Sequence, residues 1–514
     1  MAPKFGTCSP LLIISCASAA LLALAFGMGL NSLETSREFI VADFGWCSNQ
    51  EEIYTCKHSV VFYRLLNLGC FIGAGVGSVV LTFSHKVSRR TAMTITSLVY
   101  VLGSALSAFT VHFAMMFVGR MLLGFAFGLT AVTVLFLIEI CHPRWRSWFT
   151  FMFNFFVSAG YLLTGLWQLM HGRVIMDKTF QITMKDKIIW RGAQLLPGIF
   201  AAIAFFFLFA LNNRTPYELI ERGLTDEAVI LIKKLYGNLD SDPETGEKPR
   251  AADETANSGT LSHDGFHHED PVHEMLVEFE RDAETAKEHP NIFIFEALYM
   301  TDYLKTMCVV FVLACGHQLV GPIFFNETAP VVFAKVMGRS YATTFYVFTL
   351  VLVNFLITLG MVFVIKKIGR RPLLLIGTII STIFMFLALF MKPLGKEAKW
   401  AGALTVLGYY GFTIGYAIGI GGLTYLYLAE VFPTQIRNTG FAFCVFGSWA
   451  SARIFLFFIE YLWRTHPMFV HVILFSISVI SILHVALFVR ETKDVPLGTA
   501  YHGGGIFAFS AKRA

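Results

Sequence analysis

The chain has 514 residues, of which 55% are hydrophobic and only 15% charged, and phenylalanine alone occurs 52 times. A soluble chain of this length needs far more charge to cover its surface, so the composition excludes an ordinary soluble globular protein. The net charge of +5 is small for the length, so where the charges sit says more than their sum.

A helix crosses about 30 Å of hydrocarbon with roughly 20 apolar residues. Runs of that length, free or nearly free of charge, recur near 11–31, 61–83, 92–112, 114–138, 148–170 and 189–211. After a long polar stretch they resume near 304–325, 342–365, 372–391, 400–429, 438–462 and 468–489. Backbone polar groups stay paired inside lipid only in helices or closed barrels. Barrel strands are shorter and alternate, which these runs do not do. The runs predict an all-α membrane protein with twelve transmembrane helices. The first run reads as a helix rather than a signal peptide, because it is long and no small-residue cleavage site leads into a soluble domain.

Lys and Arg set the expected orientation. The short loops after spans 2, 4, 8 and 10 carry Lys86, Arg89, Arg90, Arg144, Arg146, Lys366, Lys367, Arg370, Arg371 and Arg437. That side is expected to be the cytoplasm, with both termini on it. The opposite loops mix signs: residues 34–58 hold Glu34, Glu38, Asp43, Glu51 and Glu52 against Arg37 and Lys57. Of nine cysteines, seven lie in or beside apolar spans and read as packing residues. Cys47 and Cys56 share the outside loop between spans 1 and 2. A disulfide between them needs an oxidising compartment; two free thiols is the alternative.

Residues 212–301 divide the spans into two sets of six. The inner part, 238–274, reads as flexible, and its flanks, 216–236 and 271–289, as amphipathic surface helices. His263, His267, His268 and His273 have no metal-ligand spacing and read as a solvated loop. The expected organisation is an N-terminal six-helix bundle over 1–211, a cytoplasmic linker over 212–301, a C-terminal bundle over 302–491 and a cytoplasmic tail over 492–514.

Two motifs recur in order. Lys86-Val-Ser-Arg-Arg follows span 2, and Lys367-Ile-Gly-Arg-Arg follows span 8. Glu139 and Arg146 flank Pro143 after span 4, and Glu430 and Arg437, at the same spacing, flank Pro433 after span 10. Two six-helix parallel repeats are an architecture of secondary transporters.

With Gly119-Arg-Met-Leu-Leu-Gly-Phe-Ala-Phe-Gly128 and Glu430-Val-Phe-Pro433, these residues resemble the sugar porter family of the major facilitator superfamily. Phe39-Ile-Val-Ala-Asp-Phe-Gly-Trp-Cys47 with Cys56 is similar to the hexose transporters of apicomplexan parasites. The resemblance covers about residues 20–497 and implies the major facilitator fold. It implies a gate built from Glu139, Arg146, Glu430 and Arg437, joined by Arg89, Arg90, Arg370, Arg371 and Arg120. The alternative is that the arginines only enforce topology.

Sugar hydroxyls donate and accept together, as side-chain amides do. The resemblance places Asn154, Gln318, Asn354 and Trp449 at the substrate, with His317, Ser448, Tyr425 and Thr424 at positions where the family differs. Ile323 stands where a span 7 Asn usually bonds the sugar. Lys366 stands at a usually acidic place, and Asn213-Arg-Thr-Pro-Tyr217 replaces an acidic Pro-Glu-Ser-Pro-Arg motif, so a weaker or rewired gate is expected. Proton-coupled members carry an Asp where this chain has Gly29, which favours facilitated diffusion; Glu34 and His317 are the residues that could still titrate.

Arg453 lies inside span 11, four residues after Trp449. It reads as a structural partner of Glu460, as an outer-gate residue with Glu34, or as a contact to an anionic substrate. A charge at mid-depth is costly and usually faces a bundle interior or cavity.

The expected function is facilitative transport of a small polar solute, a hexose above all, by alternating access. The alternatives are a carrier of another polyol or of another organic solute, an anion included, and a nutrient sensor that binds without flux. An enzyme is not expected, for no nucleophile–base pair, metal cluster or phosphate loop falls within the spans. No metal, nucleotide or prosthetic cofactor is implied. The expected partners are a small-molecule substrate, a sugar, and the lipid bilayer, with no nucleic acid, in a plasma-membrane monomer.

Overall fold

A computed structural model describes residues 9–47, 56–83, 87–171, 182–211, 214–236, 275, 277–279, 294–337, 341–395, 399–495, 497–501 and 507. They are helical, with no strand among the described residues. Among the described residues, twelve helical segments are long and apolar enough to cross a membrane: Pro10–Asp43, His58–Thr82, Arg89–Ala108, Phe113–Ile140, Trp145–Leu169 and Met184–Ala210, then Tyr303–Met337, Thr344–Val364, Arg370–Met391, Trp400–Val431, Gln435–Ile459 and Pro467–Phe488. They are numbered here as spans 1 to 12.

Local chemistry sets several starts. Ser9 caps span 1 by accepting from the Leu12 amide at 3.2 Å, with Pro10 in the first turn, where its missing N–H costs nothing. Thr183 and Asp186 form a capping box at span 6, each satisfying an orphan amide of the first turn.

Span 1 is longer than its apolar run. At 34 residues it extends about 51 Å at 1.5 Å per residue, so Glu34, Glu38 and Asp43 lie on a helix and not in a loop. The charges are tolerated because they have partners. Asp43 receives Lys187 at 2.8 Å and Arg191 at 3.5 Å. Glu34 accepts from the Tyr63 hydroxyl, and Arg37 lies 4.0 Å over the Tyr63 ring. Cys47 and Cys56, expected in a long loop, are joined by a disulfide at the end of this helix. The stretch 216–236 forms two helices, Pro216–Glu221 and Thr225–Tyr236. Gly223 separates them at φ 78°, a conformation glycine adopts without a Cβ penalty. The four histidines of the linker and Lys86 lie outside the described residues.

Packing repeats between the halves. Span 1 packs on spans 5 and 6, span 3 on 4 and 6, and span 2 on 4. Span 7 likewise packs on 11 and 12, span 9 on 10 and 12, and span 8 on 10. The halves meet through spans 2 and 11 and through spans 5 and 8, pairs that exchange when each span is shifted by six. A pseudo-two-fold axis therefore runs between the halves. Small residues bring helices close, as in other membrane bundles: a Cβ on Gly124 of span 4 would stand 1.9 Å from the Cys70 carbonyl of span 2, and one on Gly415 of span 10 would stand 2.3 Å from the Ser381 amide of span 9.

Two spans in the second half break. Span 7 is interrupted between Leu319 and Pro322, where Gly321 has φ 98°. Span 10 is interrupted at Gly419, between helices ending at Ile418 and beginning at Ile420. Irregular backbone at membrane depth is tolerated where protein or a cavity surrounds it.

Candidate functional site

The axis passes through a cavity of about 230 Å³. Gln318 reaches it from span 7, Asn354 from span 8, Asn154 from span 5, Trp449 from span 11 and Tyr425 from span 10. Asn67 of span 2 and Asn326, beyond the break in span 7, line it as well. Among the described residues, the side chains of Asn67, Asn154, Gln318, Asn326 and Asn354 have no hydrogen-bond partner. Unpartnered amides facing a cavity leave donors and acceptors for a ligand. Asn31 also lines it but is committed to Tyr161 and Thr164.

The apolar wall is aromatic. The Trp449 ring lies 6.2 Å from Phe26, 5.8 Å from Phe71 and 6.3 Å from Phe127, and its indole N–H is buried without a partner. His317 lines the cavity with its Nδ1 unpartnered, while its Nε2 lies 3.1 Å from the Tyr416 hydroxyl. The Tyr425 ring stands edge-on to His317 at 5.7 Å.

Three expected residues stand apart from the cavity. Thr424 and Ser448 do not line it. Helical neighbours point about 100° apart, so a cavity-facing Tyr425 turns Thr424 away, and Trp449 does the same to Ser448. The Thr424 hydroxyl instead bonds the Ile420 carbonyl. Arg453, one turn beyond Trp449, is partly buried and also lies off the lining, and the structure does not describe the Glu460 side chain. Glu34 does line the cavity. Sequence reasoning missed Asn67 and Asn326. Asn326 had a signal: it falls three residues after Ile323, on the same helical face.

Arg120 moves from the expected gate to the cavity. It is 2% exposed, lines the cavity, and donates to the Gly29 carbonyl at 3.1 Å.

The motif charges gather at the other end of the spans, in two copies of one arrangement. In the first half Arg89 pairs with Glu139 at 2.9 Å, Thr215 donates to Glu139 at 3.2 Å, and Glu218 accepts from the Arg89 amide. In the second half Arg370 pairs with Glu430 at 2.9 Å, Thr492 donates to Glu430 at 2.6 Å, and Glu491 accepts from the Arg370 amide at 2.8 Å. Each copy reaches across the axis. Arg89 donates to Asn438 at 3.1 Å, while Ser147 donates to Glu430 at 3.0 Å and accepts from Arg370.

The acid and base of each turn therefore do not pair with each other. Arg146 pairs with Glu278 at 2.7 Å, and Arg437 donates to the Phe432 carbonyl at 3.3 Å. Arg90 and Arg371 cap the last carbonyls of spans 6 and 12, at Leu208 and Ala486, where a cation also meets the negative end of a helix dipole. Glu218 supplies the acid missing from the 213–217 stretch. Burial, then the nearby Glu139 carboxylate, raises its pKa. Lys366 sits 3.2 Å over the Trp145 ring, and burial lowers its pKa.

The model of the family described as sugar (and other) transporter matches residues 15–500. The chain belongs to that family. It is a membrane transporter of a non-enzymatic family, and the expected resemblance is correct. Hexose transporter 1 of Plasmodium knowlesi is 24% identical to it over 94% of this chain and 91% of that protein. Hexose transporter 1 of Toxoplasma gondii is 22% identical over 96% of this chain and 82% of that protein. Among solved structures, the proton:xylose symporter XylE bound to 6-bromo-6-deoxy-D-glucose superposes with a TM-score of 0.75 at 17% identity, covering 95% of this chain and 98% of that one. The fold of this sugar transporter family member is thus the major facilitator fold.

Proposed function

We propose that the chain is a facilitative hexose carrier working by alternating access across the plasma membrane, with both termini cytoplasmic. The observation that carries this reading is the set of five amides, from spans 2, 5, 7 and 8, that face one sugar-sized cavity without protein partners. Such groups are costly to leave unsatisfied, and a polyol matches their donors and acceptors together. Trp449 and the surrounding phenylalanines supply apolar faces for the sugar ring. The hexose transporters among the relatives support the same substrate class. The two bundles, 1–211 and 302–491, are the moving units, with 212–301 linking them and 492–514 as the tail. The paired clamps at the charged end are the gate, and that end is the cytoplasmic one.

Uniport rests on Gly29. A Cβ there would stand 2.8 Å from the Phe127 ring, so the space of a coupling carboxylate is filled by an aromatic edge. Membrane-embedded acids are what take up and release coupling protons. Counterflow of labelled D-glucose in proteoliposomes tests the proposal. Saturable counterflow that a pH gradient does not drive uphill supports it. Uphill accumulation under a pH gradient refutes uniport, binding without flux turns the reading to a sensor, and absence of both refutes the hexose.

A further inference from the structure

One cation at the charged end rests on a ring. Lys366, in the turn after span 8, holds its ammonium 3.2 Å over the Trp145 ring, and Trp145 opens span 5 of the other half. Among the described residues the ammonium has no carboxylate and no hydrogen-bond partner, and burial alone lowers its pKa. Both sides of the contact are tied to the clamp. The Ile365 carbonyl, next to Lys366, accepts from Arg370 at 3.5 Å, and Arg370 pairs with Glu430. Ser147, two residues after Trp145, bonds Glu430 and Arg370, and Arg146 between them is held by Glu278. The first turn of span 5 thus reaches the second half twice, through a hydroxyl in the clamp and through a ring under Lys366. The indole face is the best of the aromatic faces for a cation. An ion pair that opens leaves a buried charge uncompensated, whereas an ammonium that leaves a ring is rehydrated and the ring needs no ionic partner. The contact therefore favours closure without burdening the open state with an unpaired charge.

We propose that Lys366 and Trp145 form a cation–π latch between the two halves, which holds the charged end closed by fixing the start of span 5 against the turn after span 8. This rests on the reading of that end as the gate. Neither residue lines the cavity, so both are positioning residues: they act on the balance between closed and open states and not on the sugar. A lysine at a usually acidic place keeps a contact across the axis by changing its kind, and the charge of the side chain decides its strength.

Cys70 lines the cavity, and its labelling by a membrane-impermeant maleimide, read by peptide mass spectrometry, is followed separately from the disulfide end and from the charged end. Loss of a partly desolvated cation–π contact should lower the ratio of closed to open states at the charged end about fivefold. Lys366→Met and Trp145→Leu should each do so, slowing labelling from the disulfide end and speeding it from the charged end. A merely destabilised fold speeds labelling from both ends, and that outcome overturns the proposal. Lys366→Arg, which keeps the cation, should stay within about twofold of the parent. The double variant, Lys366→Met with Trp145→Leu, should shift the ratio no further than either single change, the mark of two groups acting through one contact. Additive effects, or a loss with Lys366→Arg as large as with Lys366→Met, overturn the latch. If Ser147→Ala shifts the ratio and Lys366→Met does not, the latch falls and the gate reading stands; if neither shifts it, both fall.

Discussion

Ser147→Ala isolates the clamp at the charged end. Ser147 belongs to the first half, yet its hydroxyl donates to Glu430 at 3.0 Å and accepts from Arg370, both of the second half. The substitution leaves the Arg370–Glu430 pair intact within its own half, so only contacts that exist while the end is closed are lost. A hydrogen bond to a charged group contributes about 1.5–3 kcal/mol. The two bonds share one hydroxyl and do not add, so the closed state should lose about 2–3 kcal/mol. That is roughly a 30- to 150-fold change in the ratio of states. A parent that divides its time evenly would then spend about 1–3% of it closed at this end. Cys70 lines the cavity, so its alkylation by a membrane-impermeant maleimide from the disulfide end reports the closed population and should fall accordingly. Thr492→Ala, which touches Glu430 only within its own half, should leave the rate near that of the parent. Equal Cys70 alkylation in Ser147→Ala and parent would refute the reasoning and leave the motif charges with topology alone.

Gln318→Ala or Asn354→Ala should raise KM for the hexose by roughly 5- to 150-fold, the equivalent of about 1–3 kcal/mol for one lost partner of a buried hydroxyl; unchanged uptake kinetics in both would move the site. Reducing the Cys47–Cys56 bond, which closes a loop with a sequence separation of 9, should cost about 2–3 kcal/mol in the chain-entropy model and appear as a lower Tm with reductant. Gly124→Ala, whose Cβ would stand 1.9 Å from the Cys70 carbonyl, should lower Tm sharply, because the obstacle is backbone; an unaltered Tm contradicts the close approach of spans 2 and 4. The raised Glu218 pKa favours the protonated native state, so its contribution is fully present below its ordinary value of 4.5 and is lost as pH rises through the raised value. Glu218→Gln should therefore gain in Tm relative to the parent as pH rises across that window, and a pH-independent difference would contradict it.

The fold was legible because lipid leaves the backbone few choices. Twelve runs of sufficient length announced twelve helices, and the repeated Arg-Arg and Glu…Arg motifs announced the two-fold arrangement. What misled was the assumption that charge ends a span. Glu34 and Asp43 continue span 1 because Tyr63, Lys187 and Arg191 meet them from other helices, and those partners are 29 to 148 residues away in the chain. The same limit applies to the gate. The motifs marked residues that gather at one end of the spans, yet the partner of Glu139 is not its neighbour Arg146 but Arg89, from another span entirely.

The site was legible to the degree that helical phase can be fixed from one known position. Gln318, Asn354, Asn154 and Trp449 line the cavity, while their neighbours Ser448 and Thr424 are rotated off it, and nothing in a uniformly apolar helix reveals which way it turns. Asn67 and Asn326 were passed over because a lone Asn in an apolar run also fits a satisfied interhelical bond, the role Asn31 plays with Tyr161 and Thr164. Only the absence of a partner separates the two, and that is a property of three-dimensional neighbours. Arg120 illustrates the point from the other side. Its sequence neighbourhood placed it among the gate arginines, each of which has a carboxylate or a carbonyl row to meet. At its true depth it meets the Gly29 carbonyl and the cavity. A charge at that depth is placed by its three-dimensional neighbours, which no motif spacing reveals.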